Sequence, residues 1–200
     1  GHGAAPLPHP EAFSPLCEAV LVSSPSPKVL FRALIGVVAV AVLAFAAGLP
    51  FYVFPRVDPP GEVGVVYVIG PPTPSRIELA EGMLEAGLSD TLMISVDDPT
   101  AEPLCAGHVS FTVYCSRPEP FTTRGEAREL AAMAVEHGWT SATVITFTPH
   151  VTRTRVLMER CFAGSLRVVA DTTPLSLAEW VGQYFYQTGA FVKVALNPGC

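Results

Sequence analysis

Residues 63–70 read VGVVYVIG and residues 71–87 read PPTPSRIELAEGMLEAG. The first stretch is a near-continuous run of β-branched residues, the composition of a strand buried on both faces of a parallel sheet. The second breaks that strand at Gly70 and two prolines. It then places Ile77, Ala80, Met83 and Leu84 at helical spacing, and Gly87 ends the helix predicted over 75–86. The same grammar recurs downstream. TLMISV (91–96) and SATVIT (141–146) read as further core strands, and LRVV (166–169) as a short one. Helices are predicted from Thr123 to the stop at Gly138, over 151–162, and from Leu177 to about Leu196. Residues 99–120 form an irregular excursion with a short strand at 109–114. Strands alternating with helices require right-handed crossovers. The expected fold is therefore α/β, a doubly wound, mainly parallel sheet with helices on both faces.

Upstream, residues 33–54 read ALIGVVAVAVLAFAAGLPFYVF, without a single charge. About 20 apolar residues suffice to cross a bilayer, so one N-terminal transmembrane anchor is expected over 29–54. Ala44-Phe45-Ala46 has the small-x-small form of a signal-peptidase site, but the apolar run continues too far for a typical signal peptide. An uncleaved anchor is the preferred reading. Residues 1–28 are proline-rich and aperiodic, as in a disordered tail, and residues 55–62 read as a stiff linker to a domain over 63–200. Lys28 and Arg32 precede the apolar run, against Arg56 alone just after it. The positive-inside rule then places the N-terminus in the cytoplasm and the domain outside, on a single-pass cell-membrane protein.

Composition narrows the partners. Beyond Phe54 the chain carries ten Lys/Arg against sixteen Asp/Glu, a net charge of −6. An acidic domain without a basic run excludes nucleic acid, whose binding rests on phosphate neutralisation. Cys17 lies in the tail, which leaves Cys105, Cys115, Cys161 and Cys200. An even number in an exported domain points to two disulfides, with three pairings open. Cys105–Cys115 would close a short loop, and Cys161–Cys200 would pin the last residues to a helix end. The cysteine and histidine spacing fits no zinc motif, so no metal is expected.

Ligands of open α/β sheets bind beyond the carboxyl ends of the strands, where loops meet helix N-termini. Three junctions carry suitable residues. In the first, Gly70 permits a sharp turn, Ser75 is placed to cap a helix, and Arg76 offers a planar fork for phosphate or carboxylate. In the second, Thr123-Arg124-Gly125-Glu126 has the form of a capping box. If Glu126 instead faces the cleft, it is a carboxylate for proton transfer, with Arg124 as an anion contact. In the third, Thr146-Phe147-Thr148-Pro149-His150 leads into a helix that carries Arg153. A histidine at a positive helix end is expected to stay neutral, and with Arg153 it forms an anion-binding, acid–base pair. Ser95 and Asp97, ending the second strand, are further candidate contacts. His137 reads as a helix-end cap, and no Gly-x-Ser-x-Gly elbow announces an α/β-hydrolase.

VVYVIG followed by PSRIELAEGMLEAGL, then PFTTRGEARELAAMAVEHGW, then VITFTPHVTRTRVLMERC together resemble the SanA/ElyC/YdcF-like family. The resemblance spans about residues 63–200, with Thr-x-x-x-His-x-x-Arg its most specific element. It implies a Rossmann-like fold, often behind one N-terminal anchor, and a role in cell-envelope integrity. Some relatives are linked to peptidoglycan or carrier-lipid metabolism, and a cytoplasmic one to S-adenosylmethionine. The family pocket maps by position onto Gly70, Arg76, Glu126, Thr146, His150 and Arg153. The chain departs from the family at Gly70-Pro71-Pro72 and at Ser95-Val96-Asp97, where glycine-rich turns are usual, which stiffens or fills the phosphate-side loops.

Three functions are consistent with these residues. One is an envelope enzyme acting on a phosphorylated or otherwise anionic precursor, with Arg76 and Arg153 holding the anion and His150 and Glu126 exchanging protons. The second is a non-catalytic envelope sensor or scaffold with the same cleft. The third is an S-adenosylmethionine- or nucleotide-binding module, which the expected orientation opposes. No cofactor is fixed by any motif.

Overall fold

The structure is a computed structural model that describes residues 1, 3, 26–107 and 109–200. Cys17, His108 and nearly all of the expected tail lie outside the described residues. The chain divides into two units, residues 1–41 and 42–200. Helix α1 (Pro27–Tyr52) supplies the whole described secondary structure of the first. At 1.5 Å per residue α1 is about 39 Å long, and it is long and apolar enough to cross a membrane. Its large side chains from Val29 to Phe45 stand exposed.

The second unit follows the expected alternation: β1 (Val65–Val68), α2 (Pro74–Glu85), β2 (Thr91–Ser95), α3 (Pro103–Ala106), β3 (Thr112–Ser116), α4 (Thr123–His137), β4 (Ser141–Phe147), α5 (Val151–Cys161), β5 (Ser165–Asp171) and α6 (Leu177–Leu196). A single 3-10 turn, Thr148–His150, joins β4 to α5. The five strands are all parallel in the order β3-β2-β1-β4-β5. This is a Rossmann-like order, and the winding reverses between β1 and β4.

β1 is central and sealed, with Val65 through Ile69 at 0% exposure. Successive side chains face opposite sides of the sheet. Val65, Tyr67 and Ile69 pack with Leu130, Leu157, Met158 and Val194 from α4, α5 and α6. Val66 and Val68 pack with Ala80, Met83 and Leu84 of α2. Helices therefore cover both faces, which is why β1 has no polar alternation.

Several local expectations are revised. Within residues 55–62, Asp58 is held to β5: its N–H donates to Val168 O (3.0 Å), and its carboxylate accepts from Val168 N–H (2.9 Å) and from Arg155 (2.6 Å). The third strand begins at Thr112 rather than 109, and β5 runs on to Asp171 because it pairs with β4 as far as Phe147. Ser75 does not cap α2. Thr73 occupies the cap position and Ser75 donates to Asp171 Oδ2 at 2.8 Å. His137 stacks on Trp139 and packs tilted against Tyr114, in a three-ring cluster, instead of capping carbonyls. Two disulfides form, Cys105–Cys115 tying α3 to β3 and Cys161–Cys200 tying the last residue to the end of α5. Closing loops of 10 and 39 residues removes roughly 3–4 kcal/mol each of unfolded-chain freedom in the entropy account.

Candidate functional site

The loops after β1, β2, β4 and β5 meet at the carboxyl end of the sheet, around the winding reversal. What they bring together begins with a displaced cap. Thr122, not Thr123, caps α4, accepting from Gly125 N–H at 3.3 Å. The expected Thr123–Glu126 capping box therefore does not form, and both side chains are released inward, at 8% and 4% exposure. Gly125 is required at this start, since a β-carbon there would lie 1.9 Å from Pro120 O.

Glu126 Oε1 accepts the Gly70 N–H at 2.6 Å. A β-carbon on Gly70 would crowd Phe121 (3.0 Å) and Oε1 itself (3.3 Å), so glycine lets the carboxylate reach the backbone. Burial raises the Glu126 pKa, opposed by the Gly70 amide, the nearby Ser95 hydroxyl, Arg153 and Arg76. Ser95 Oγ lies near the carboxylate but outside hydrogen-bond geometry, and so does the wholly buried Tyr67 hydroxyl. Glu126 Oε2 has no protein partner among the described residues and is not sealed from solvent.

His150 sits at the N-cap position of α5, 5% exposed. Its Nδ1 lies 2.9 Å from Thr146 Oγ1 and its Nε2 3.3 Å from Thr123 Oγ1. Arg153 Nη1 donates to the same Thr123 oxygen at 3.3 Å. With Thr123 accepting from Arg153 and donating onward, Nε2 is the acceptor and Nδ1–H donates to Thr146; the network makes this assignment. Burial, then the charges of Arg153 and Arg76, hold the His150 pKa well below its ordinary value. The ring is neutral, with Nε2 accepting from the hydroxyl that Thr123 shares with Arg153.

The two arginines differ. Arg76, 7% exposed, donates from Nη1 to Pro71 O at 2.9 Å, lies over the Phe147 ring at 5.1 Å, and has Asp171 as counter-ion at 3.9 Å. Its Nη2 is left without a protein acceptor among the described residues. Arg153, 8% exposed, donates to Gln187 Oε1 at 2.8 Å and faces the Tyr186 ring at 5.6 Å. Among the described residues it forms no ion pair. The Glu126 carboxylate acts on it only through space, from beyond ion-pair distance, so an anion bound directly to Arg153 would compensate its charge more fully.

Other sequence candidates fall outside this cluster. Arg124 donates to Asn197 O near the C-terminus. Asp97 is exposed and pairs with Arg117 at 3.1 Å. Thr148 donates to Asp171 O at 3.4 Å, and Ser75 reaches the cluster only through Asp171. Asp171, Tyr186 and Gln187 are the residues that sequence reasoning missed. Asp171 stands at the carboxyl end of β5, two residues beyond the LRVV segment that the sequence marks as its strand. Gln187 is fully buried, but it lies on a helix that also carries Glu179, Gln183, Thr188 and Lys193, so nothing in the sequence marks it out.

A hollow of about 190 Å³ lined by Phe147, Thr148, Thr173 and Trp180 opens beside the cluster. A larger one, about 550 Å³, lies at the amino ends of the strands, with Glu62, Glu85 and Asp90 in its wall. It holds no buried polar cluster and no cation, whereas a third, of about 620 Å³, reaches the edge of the cluster at Ser75 and Asp171.

The raised Glu126 pKa has a measurable consequence. As pH rises above about 4.5 the unfolded chain releases this proton first, so native stability falls until the folded-state pKa is passed. Glu126→Gln keeps an oxygen for the Gly70 amide and removes that loss. The variant is expected to melt higher than the parent at pH 7, with the gap shrinking toward pH 4 in scanning calorimetry. A variant that melts lower at pH 7 would mean that the arginines reward the ionised form.

Comparison with protein-family models, with curated proteins and with solved structures returns no match.

Proposed function

We propose that the domain works outside the cytoplasm, tethered by α1, on an anionic precursor of the cell envelope of the prenyl-phosphate or peptidoglycan type. The carrying observation is the neutral, buried His150 set beside buried Glu126 and the guanidinium of Arg153, which forms no direct ion pair among the described residues. Arg153 and the free Nη2 of Arg76 would hold the anion. His150 would take a proton through Thr123, and Glu126, with its raised pKa, would give one. The resemblance to SanA/ElyC/YdcF proteins supports the envelope setting, and both disulfides fit an oxidising compartment.

A second reading, a non-catalytic sensor of the same ligands, draws on one observation: both ring nitrogens of His150 are already engaged. Incubating the membrane-reconstituted protein with a prenyl phosphate and a prenyl diphosphate, and following conversion by mass spectrometry, separates the two. Conversion lost in His150→Gln indicates an enzyme. Binding without conversion indicates a sensor, and binding of neither ligand contradicts both.

The compartment has its own test. Membranes lysed with a thiol-blocking reagent should yield the Cys105–Cys115 and Cys161–Cys200 peptides linked. Blocked, unlinked cysteines would return S-adenosylmethionine and nucleotides as the leading ligands.

A further inference from the structure

Helix α6 buries only two residues, Gln187 and Val194, and leaves large apolar side chains in the open. Leu177 is 82% exposed, Phe185 78% and Leu196 76%, with Val181 and Val192 about half exposed. Leu177, Val181 and Phe185 stand at i, i+4 and i+8, and Val192 and Leu196 continue the same face. Gly189 and Ala178 lie between them, and the only acidic or basic residues of the helix, Glu179 and Lys193, lie to one side. A soluble surface gains nothing from such a stripe.

The stripe borders a contact that says what covers it. On its flank, Tyr184, Thr188 and Phe191 pack against the last turns of α1, within the second unit. Tyr184 stacks on Phe45 at 4.9 Å, the Tyr52 hydroxyl meets Thr188 Oγ1 at 3.1 Å, and Phe51 meets Phe191 edge-on at 6.2 Å. Gly48 makes the approach possible, since a β-carbon there would lie 2.6 Å from the Tyr184 ring. Phe45 lies well inside the apolar run that ends at Phe54. From Phe45 to Tyr52 the helix rises about 10 Å, which is the depth at which an amphipathic helix rests in the headgroup–acyl boundary.

We propose that the exposed face of α6 lies in the boundary layer of the bilayer that α1 crosses, so that the domain rests on the membrane instead of hanging from a free tether. Trp180 and Tyr184, on one flank of the stripe, are of the aromatic types that favour the headgroup zone. Bilayer contact by α6 does not depend on what the cleft binds. It does set the cleft at the membrane plane, because Gln187 and Tyr186 of the same helix hold Arg153 and Trp180 lines the adjoining hollow.

The test uses the full chain with Trp139→Phe, which leaves Trp180 as its single tryptophan. The protein is reconstituted into phosphatidylcholine vesicles whose acyl chains carry bromine either near the headgroup or near the chain end. Loss of most Trp180 emission with shallow bromine, and less with deep bromine, is expected. Emission unchanged by either would overturn the proposal. Phe185→Cys in a Cys17→Ser chain, with the other four cysteines left in their disulfides, provides a second reading through a polarity-sensitive label. A blue-shifted label supports bilayer contact. A label that reports water, or efficient cross-linking of Phe185→Cys between two copies, overturns it.

Discussion

Arg153→Gln is expected to cost at least thirty-fold in affinity for a prenyl phosphate, because the anion loses a buried cation that forms no direct ion pair among the described residues. Removing one partner of a buried, hydrogen-bonded charge pair costs about 2–5 kcal/mol, which sets that figure. The native fold should survive. The variant loses the bonds to Thr123 and Gln187, each of order 1 kcal/mol, but it also sheds an unpaired buried charge. Arg153→Lys keeps the charge without the planar fork and should recover the affinity in part only. Arg76→Gln should weaken binding less cleanly. Its guanidinium is already balanced by Asp171, and its loss also strands the Pro71 carbonyl. Titration calorimetry on the reconstituted variants distinguishes these outcomes from general destabilisation, since melting temperatures are read on the same samples.

His150→Gln is expected to lower turnover by about 10²–10⁴ while leaving affinity close to the parent's, the signature of a lost general base. Glutamine can still bond Thr146 or Thr123 but cannot take a proton near neutral pH. The pH profile carries the sign. Because burial and two arginines hold the His150 pKa well below 6.5, the base stays neutral through the whole near-neutral range, and activity should persist on acidification past 6.5. Stability moves oppositely. Below about 6.5 the unfolded chain takes up a proton that the folded ring refuses, so the native state weakens as pH falls, and His150→Gln should remove that dependence. Thr123→Val should copy the loss of turnover if the hydroxyl relays the proton, whereas Thr123→Ser should keep most of it.

The framework of the fold is readable from the chain because buried parallel strands leave no choice of composition. β1 is a near-continuous apolar run, β2 and β4 are β-rich segments buried along nearly their whole length, and Gly87 and Gly138 both take the positive φ of +72° that ends α2 and α4. Edges were harder. β3 is half-exposed and mixed in character, so its limits shift, and β5 carries three more residues than LRVV because pairing with β4 extends it. In the site, His150 and Arg153 were visible from their spacing on one helix start. The fate of Glu126 was not, since two adjacent threonines offer the same cap and only packing against Pro120 selects Thr122. Asp171 and Gln187 escaped notice for another reason. Their partners, Arg76 and Arg153, are 95 and 34 residues away in sequence, and long-range pairing of that kind leaves no local pattern.

The central claim is an anion-binding cleft at the winding reversal of the sheet, served by a neutral base. The most direct measurement is calorimetric titration of the reconstituted protein with a short-chain prenyl phosphate and with the matching prenyl alcohol. Saturable heat with the phosphate, none with the alcohol, and its loss in Arg153→Gln are expected. Equal binding of the alcohol, or binding of the phosphate that Arg153→Gln leaves unchanged, would contradict the claim.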